Sequence, residues 1–270
     1  MSVIGRKIWR DLAQNRARTL LVAFSTAAGV FALGLVVGLS QTLRSQMTLD
    51  HQATIPAHVT FFGGVYTRDI AEILLENPEI ASVEREAYVP IRWRMPGEAN
   101  WQTGDLVARS DYTAQQTRLI DLYQGTWPGE RAMIAERQSL QYYHMDLGST
   151  ILVEFGRGER QLQVEGVVRV PGISPPQFGG NATFCSTPDT VTWLTGFEGY
   201  NRLYVRLAVY DQAKAEQIAG QVQDRMQRMG LPRGGYSVSD PSIHPLQEMV
   251  DTLALILGAL GALSLGLSAF

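Results

Sequence analysis

The sequence predicts an α+β membrane protein in which transmembrane helices flank an extracytoplasmic two-subdomain α/β core domain, with two β-α-β units bracketing a β-rich insertion. Three observations carry that prediction. Thr19 to Leu39 is uncharged and, at about 1.5 Å per residue as a helix, long enough to cross a hydrocarbon core of roughly 30 Å. A second uncharged stretch, Thr252 to Phe270, ends the chain. Between the two, the order strand, capped helix, strand occurs once near the start and once near the end.

Residues 1–18 come first and read as a cytoplasmic, basic amphipathic helix. Ile4, Ile8, Trp9 and Leu12 recur at helical spacing opposite Arg6, Lys7 and Arg10, the pattern of a helix lying on a membrane surface. The span at 19–39 follows. Its glycines (Gly29, Gly34, Gly38) and alanines (Ala27, Ala28, Ala32) suit close packing on other membrane helices. Arg6, Lys7, Arg10, Arg16 and Arg18 precede it against Asp11 alone, whereas Arg44 is the one basic residue before Asp50. The positive-inside rule therefore puts the N-terminus in the cytoplasm and residues 40–251 outside. A cleaved signal peptide fits poorly, because the apolar run exceeds the usual 7–15 residues and Gly38-Leu39-Ser40 is a weak cleavage site.

After Leu39 no helix breaker occurs before Pro56, so the helix is expected to continue outward as a stalk over Gln41 to Asp50. The first β-α-β unit then runs from Val59–Phe62 through a helix capped by Thr67 to a strand at Ala81–Arg94. Pro96-Gly97 turns the chain into Trp101–Arg109, a hairpin assignable to either subdomain. The insertion, about 111–200, holds a strand at Arg131–Ala135, a helix at Glu136–Met145, strands at Ile151–Phe155 and Leu162–Val170, and the Pro/Gly-rich loop PGISPPQFGGN. A short helix with Thr187 as cap and Pro188 in its first turn leads out of it. The second unit has a strand at Leu203–Tyr210, a helix capped by Asp211 and ended at Gly230-Leu231-Pro232, and an extended Tyr236–Ser239. A second stalk, Pro245 to Asp251, leads to the span at 252–270, which lacks the basic flank of a completed crossing and reads as truncated.

Charge excludes some functions. After the first span come 18 basic and 25 acidic residues, a net of −7, which argues against a nucleic-acid surface and against docking on anionic lipid. The single Cys185, set among Ala182, Thr183 and Phe184, rules out an internal disulfide and reads as a small buried hydrophobe. There is no G-x-x-x-x-G-K-[ST], G-x-S-x-G, C-x-x-C or H-E-x-x-H, so no catalytic, cofactor-binding or metal residue is assigned and no cofactor is expected. His51 and His58 come nearest to a ligand pair, but the bland alternative is a solvated stalk end. Glu84 and Glu86 share one side of a strand, and the expectation for them is a wet strand face. Tyr142, Tyr143 and the segment Trp193 to Tyr200 are read as core aromatics rather than a ligand platform. Asn181-Ala182-Thr183 fits a glycosylation sequon, informative only in a eukaryotic secretory route.

Two longer stretches carry a resemblance. RKIWRDLAQNRARTLLVAFSTAAGVFALGLVV, Arg6 to Val37, resembles the opening of MacB/FtsX-like ABC transporter permeases. Gln124 to Val168 is similar to the central motif of their extracytoplasmic core domain, matched at Gly125, Pro128, Gly148, Gly166 and Val167. The resemblance implies a membrane-proximal α/β subdomain with a more distal β-rich one, three further helices after the core domain, and a place in the plasma (inner) membrane. It implies a permease subunit, not an enzyme, that couples ATP hydrolysis by a separate cytoplasmic ABC ATPase to motion of the core domain for export or extraction of a substrate. It further implies a permease dimer or pseudo-dimer, contact with membrane lipid and an extracytoplasmic protein partner. The alternative from another class is a membrane-tethered binding or scaffolding module without transport.

Overall fold

The computed structural model describes residues 16–156, 158–232 and 234–268. The expected amphipathic helix before residue 16 lies outside them. The described residues form two units, one from 16–50 with 244–268 and one from 51–243.

In the first unit, helix α1 (Arg16–Ala53) runs unbroken through the apolar segment and the polar stalk. Its apolar side chains face outward, Phe24 being 76% and Phe31 70% exposed, as lipid contact requires. Among the described residues α1 alone is long and apolar enough to cross a membrane. The second expected span is helical as far as Ser268, within a helix that begins five residues before Thr252, at Gln247. It packs on α1 where Gly261 meets Leu33, so closely that a Cβ at Gly261 would stand 2.6 Å from the leucine Cδ2. Arg44 Nε and Asp251 Oδ1 form an ion pair at 2.7 Å.

The second unit contains, in chain order, β1 (Val59–Phe62), α2 (Arg68–Leu75), β2 (Ile80–Arg94), β3 (Gln102–Ala108), β4 (Asp121–Gly125), β5 (Ala132–Glu136) and α3 (Arg137–Tyr142). It continues with β6 (Thr150–Phe155), β7 (Gly158–Arg169), a 3₁₀ turn at Pro176–Phe178, β8 (Ala182–Ser186), α4 (Pro188–Thr195), β9 (Arg202–Leu207), α5 (Gln212–Arg228) and β10 (Gly235–Val238). The helix that begins at Gln247 is α6 (Gln247–Ser268).

The two β-α-β units join in one antiparallel sheet of order β10-β1-β9-β2. That interleaving is the split β-α-β, or ferredoxin-like, arrangement. Helix periodicity and strand alternation agree on which face is dry. Ile70 of α2 and Ala215, Ile218, Ala219, Val222 and Met226 of α5 pack on Val59, Phe61, Leu203, Val205 and Leu207. Asp211 caps α5 by accepting from the Lys214 N–H at 2.8 Å, which satisfies one of the helix's free amides.

Everything between β2 and β9 belongs to the second sheet. β2, β3, β8, β5, β7 and β6 pair in turn, and β6 returns to β2 through Trp93–Val153 and Arg94–Leu152, so the pairings close a six-stranded ring. Alternate residues fill it: Ile91 and Trp93, Leu106 and Ala108, Met133 and Ala135, Ile151 and Val153, Leu162 and Val164, Ala182 and Phe184. Gly104 makes room for Trp93, whose Cδ1 would lie 2.7 Å from a Cβ at that position. β4 flanks β7, and Tyr112, Ile120, Val170 and Cys185 cover the ring's outer side as a smaller core.

β2 belongs to both sheets. It pairs with β9 up to Glu86 and with β3 from Ala87. The distal sheet thus begins inside β2, and an insertion counted from about 111 leaves out the outer half of β2 and all of β3. Two strands escaped the sequence reading. β8 is buried at all five positions, and a strand dry on both faces has no alternation to reveal it. β4 carries polar and exposed residues, Asp121 and Gln124 among them, and is held by backbone pairing to β7. The helix expected over 136–145 is shorter: Glu136 is its cap, and His144, at φ 52°, takes the chain out of helical geometry.

Candidate functional site

With no catalytic motif in the sequence, the place where charge is buried becomes the informative one. It lies where β2 changes partners. Glu86 is 2% exposed and Arg109, at the end of β3, is 1% exposed. Arg109 donates from Nε and Nη2 to Glu86 Oε2 at 3.1 and 3.0 Å, and from Nη1 to Gln115 Oε1 and the Thr117 carbonyl. The Tyr204 hydroxyl donates to Glu86 Oε1 at 2.7 Å. Arg118 and Arg202 stand farther out, 3.8 and 4.0 Å from the same oxygen. Burial alone would raise the Glu86 pKa, but Arg109, then Arg118, the Tyr204 hydroxyl and Arg202 outweigh it and hold the carboxyl below its ordinary value. Glu84 next to it goes the other way, pushed up chiefly by burial. The expected wet strand face is therefore wrong for Glu86. Loop 109–119 and three arginines from outside the strand cover it, and no single-strand pattern could announce them.

The same loop grips the end of α1. Ala53 is followed by Thr54 and Ile55, and Ile55 adopts φ 50°, costly for a β-branched residue, just before Pro56. Arg118, itself at φ 51°, donates its backbone N–H to the Ile55 carbonyl, and Leu119 donates to the Thr54 carbonyl, both at 2.8 Å. The helix's own last turn closes through Thr54 N–H on the His51 carbonyl and Ile55 N–H on the Gln52 carbonyl, and the loop satisfies the two carbonyls that follow. Side-chain bonds complete the seam. Thr117 bonds to Ser82 of β2, and Arg118 donates to the Pro171 carbonyl at 2.7 Å while lying 4.2 Å from the Tyr204 ring. Asn201 clamps β2 one step beyond, accepting from the Tyr88 N–H and donating to its C=O, each at 2.8 Å. Within the second unit, the segment Thr54–Ile55, the proximal sheet and the distal ring thus meet in one polar joint.

His58 begins the proximal sheet. The solvated stalk end expected for it is also corrected: it is 5% exposed, its Nδ1 accepts from the Leu207 N–H at 3.0 Å, and Tyr210 meets it edge-on. Burial, reinforced by Arg206 and partly opposed by Asp240, pulls its pKa down to about 4. His51 lies in the last turn of α1. Among the described residues no three His, Cys, Asp or Glu side chains cluster as a metal site would need. Cys185 is fully buried with its thiol pKa pushed far up, chiefly by burial, and so is a packing residue. Of the aromatics, Tyr143, Trp193, Phe197 and Tyr200 pack against the ring core, whereas Tyr142 is 51% exposed.

Residues 19–225 match the family described as MacB-like periplasmic core domain. No curated protein matches the chain. Similar solved structures include the periplasmic region of MacB from Actinobacillus actinomycetemcomitans, at 12% identity and TM-score 0.47, covering 78% of this chain and 97% of that one. The extracellular domain of the noncanonic ABC-type transporter YknZ from Gram-positive bacteria aligns at 15% identity and TM-score 0.46, over 68% and 100%. A domain of a putative permease from Porphyromonas gingivalis aligns at 14% and 0.41, over 67% and 87%. The match over 19–225 identifies the chain as a member of the MacB-like periplasmic core domain family, the extracytoplasmic part of MacB/FtsX-like ABC transporter permeases.

Proposed function

We propose that this chain is a permease subunit that transmits the work of a separate cytoplasmic ABC ATPase to its extracytoplasmic domain, and that it performs no catalysis itself. The observation that supports this most is the joint. α1 runs as one helix from the apolar segment to Ala53, and the carbonyls beyond it are held by a loop whose Arg109 and Arg118 also engage Glu86 of β2. In this reading the residues that follow α1, held on the proximal sheet and the distal ring, are where a displacement of the helix enters the core domain. The driving force needs only two nucleotide states that favour different helix arrangements. In this reading residues 40–251 are outside, the second apolar segment returns the chain to the cytoplasmic side, and the substrate or partner is met by the core domain.

The topology and the partner are tested together. A thiol introduced at the exposed Gly158 is expected to react with an impermeant maleimide added outside intact cells. The full-length protein, solubilised from its own membrane, is expected to bring an ABC ATPase with it. Labelling only from the cytoplasmic side would refute the orientation. Stable association with exported proteins alone, and no ATPase, would replace the transport reading with that of a tethered binding module.

A further inference from the structure

α2 and α5 cover the same face of the proximal sheet, and a gap of about 280 Å³ stays open between them. Its apolar walls are Ile73 and Leu74 on α2 and Ile218 and Val222 on α5, and Arg225 and Arg228 line it as well. Positions 218, 222 and 225 follow one another at helical spacing, so one stripe of α5 runs from apolar to cationic along the gap. Ile73 and Leu74 are only half-buried, which leaves apolar surface open to water inside it.

The charges at the gap are unmatched. No carboxylate lines it, and among the described residues neither the Arg225 nor the Arg228 side chain has a hydrogen bond or an ion pair. The other two cations of these helices are both paired, Arg68 with Glu72 at 3.2 Å and Lys214 with Glu79 at 2.6 Å. A cation in the last turn suits the dipole of α5, but the dipole does not account for two free guanidiniums beside apolar walls.

An apolar gap bordered by free guanidiniums is complementary to a molecule with one apolar and one anionic end. Size narrows the choice. One turn of a helix about 10 Å across fills roughly 400 Å³, more than the gap holds, whereas a single hydrocarbon chain fits. The net charge of −7 after the first span disfavours an anionic bilayer surface, so the molecule enters singly.

We propose that the gap between α2 and α5 binds a single-chain anionic amphiphile, its hydrocarbon chain against Ile73, Leu74, Ile218 and Val222 and its carboxylate or phosphate head on Arg225 and Arg228. Covering the apolar walls supplies affinity, and the guanidinium pair selects the charged head. The assignment goes beyond the ATPase-coupled reading and is tested without any ATPase, so either can fail alone.

The probe is decanoate with a diazirine at the end of its chain, photo-cross-linked to the full chain in phosphatidylcholine nanodiscs, with labelled peptides identified by mass spectrometry. Saturable labelling is expected within residues 70–80 or 215–228. Excess decanoate, decyl phosphate or both should suppress it, which tells a fatty acid from a phosphate-headed lipid. Decanol and acetate, each with one of the two ends, should compete about tenfold more weakly or worse. Arg225→Gln with Arg228→Gln should reduce the labelling about tenfold. Ile73→Trp, which fills the gap and leaves both arginines, should abolish it, so the test does not hang on one variant. Labelling confined to α1 and α6, labelling indifferent to both variants, or equal suppression by decanol or by acetate would overturn the proposal.

Discussion

Two buried titratable residues make the proximal sheet sensitive to pH, for opposite chemical reasons. His58 is held neutral at a pKa of about 4 against 6.5 in an open chain. Between those values the unfolded chain binds a proton that the folded one refuses, so stability falls as pH falls from 6.5 towards 4 and is unaffected by His58 above that window. The full effect approaches about 3 kcal/mol at 1.36 kcal/mol per unit. His58→Gln, whose side-chain oxygen can still accept from Leu207, should flatten urea-unfolding stability across that window. Glu86 acts at lower pH, because its depressed pKa gives a stability that is present above the ordinary carboxylate range and lost as pH falls through the folded value. Glu86→Gln leaves Arg109 buried without its hydrogen-bonded carboxylate, and a loss of about 3–5 kcal/mol is expected by the same unfolding measurement. Neither residue was legible as buried. The groups that enclose them come from 23 residues away for Arg109 and 149 for Leu207, beyond the reach of any local pattern.

Elements were more readable than residues, because a helix or half-buried strand writes its period into its own sequence. The caps Thr187 and Asp211, the amphipathic face of α5 and the hairpin at Pro96-Gly97 all stand in the structure, and Thr67 holds the N-cap position of α2 without a side-chain bond. What local pattern could not give was β8, hidden by burial on both faces, and the closure of the ring by β6 on β2, which rests on only two residue pairs. A ring this small depends on exact fit. Gly104→Val would push a branched side chain into the indole of Trp93, and overpacking of this kind costs about 1–3 kcal/mol. Because Trp93 and Phe184 meet edge-on at 5.1 Å, the near-ultraviolet circular dichroism of the distal sheet should change, while far-ultraviolet helix signal stays. Loss of the proximal helices in the same variant would mean that the two sheets do not melt separately.

For the whole molecule, the organisation of a core domain attached to an apolar helix was legible because it rests on long runs of composition, whereas the joint was not. Its parts are Thr54 and Ile55, the loop at 109–119, Glu86 in β2 and Arg202 in β9, four places in the chain that only the folded topology assembles. The account stands on that joint carrying movement from α1 into the core domain. The most direct test takes the permease dimer that the resemblance implies and measures pulsed electron resonance between spin labels at Gly158→Cys in its two copies, in membranes, with the native Cys185 left in its buried site. The account predicts one distance distribution without nucleotide and a shifted one when the associated ATPase is trapped with ATP. The same distribution in both states, with the ATPase bound and active, would contradict it.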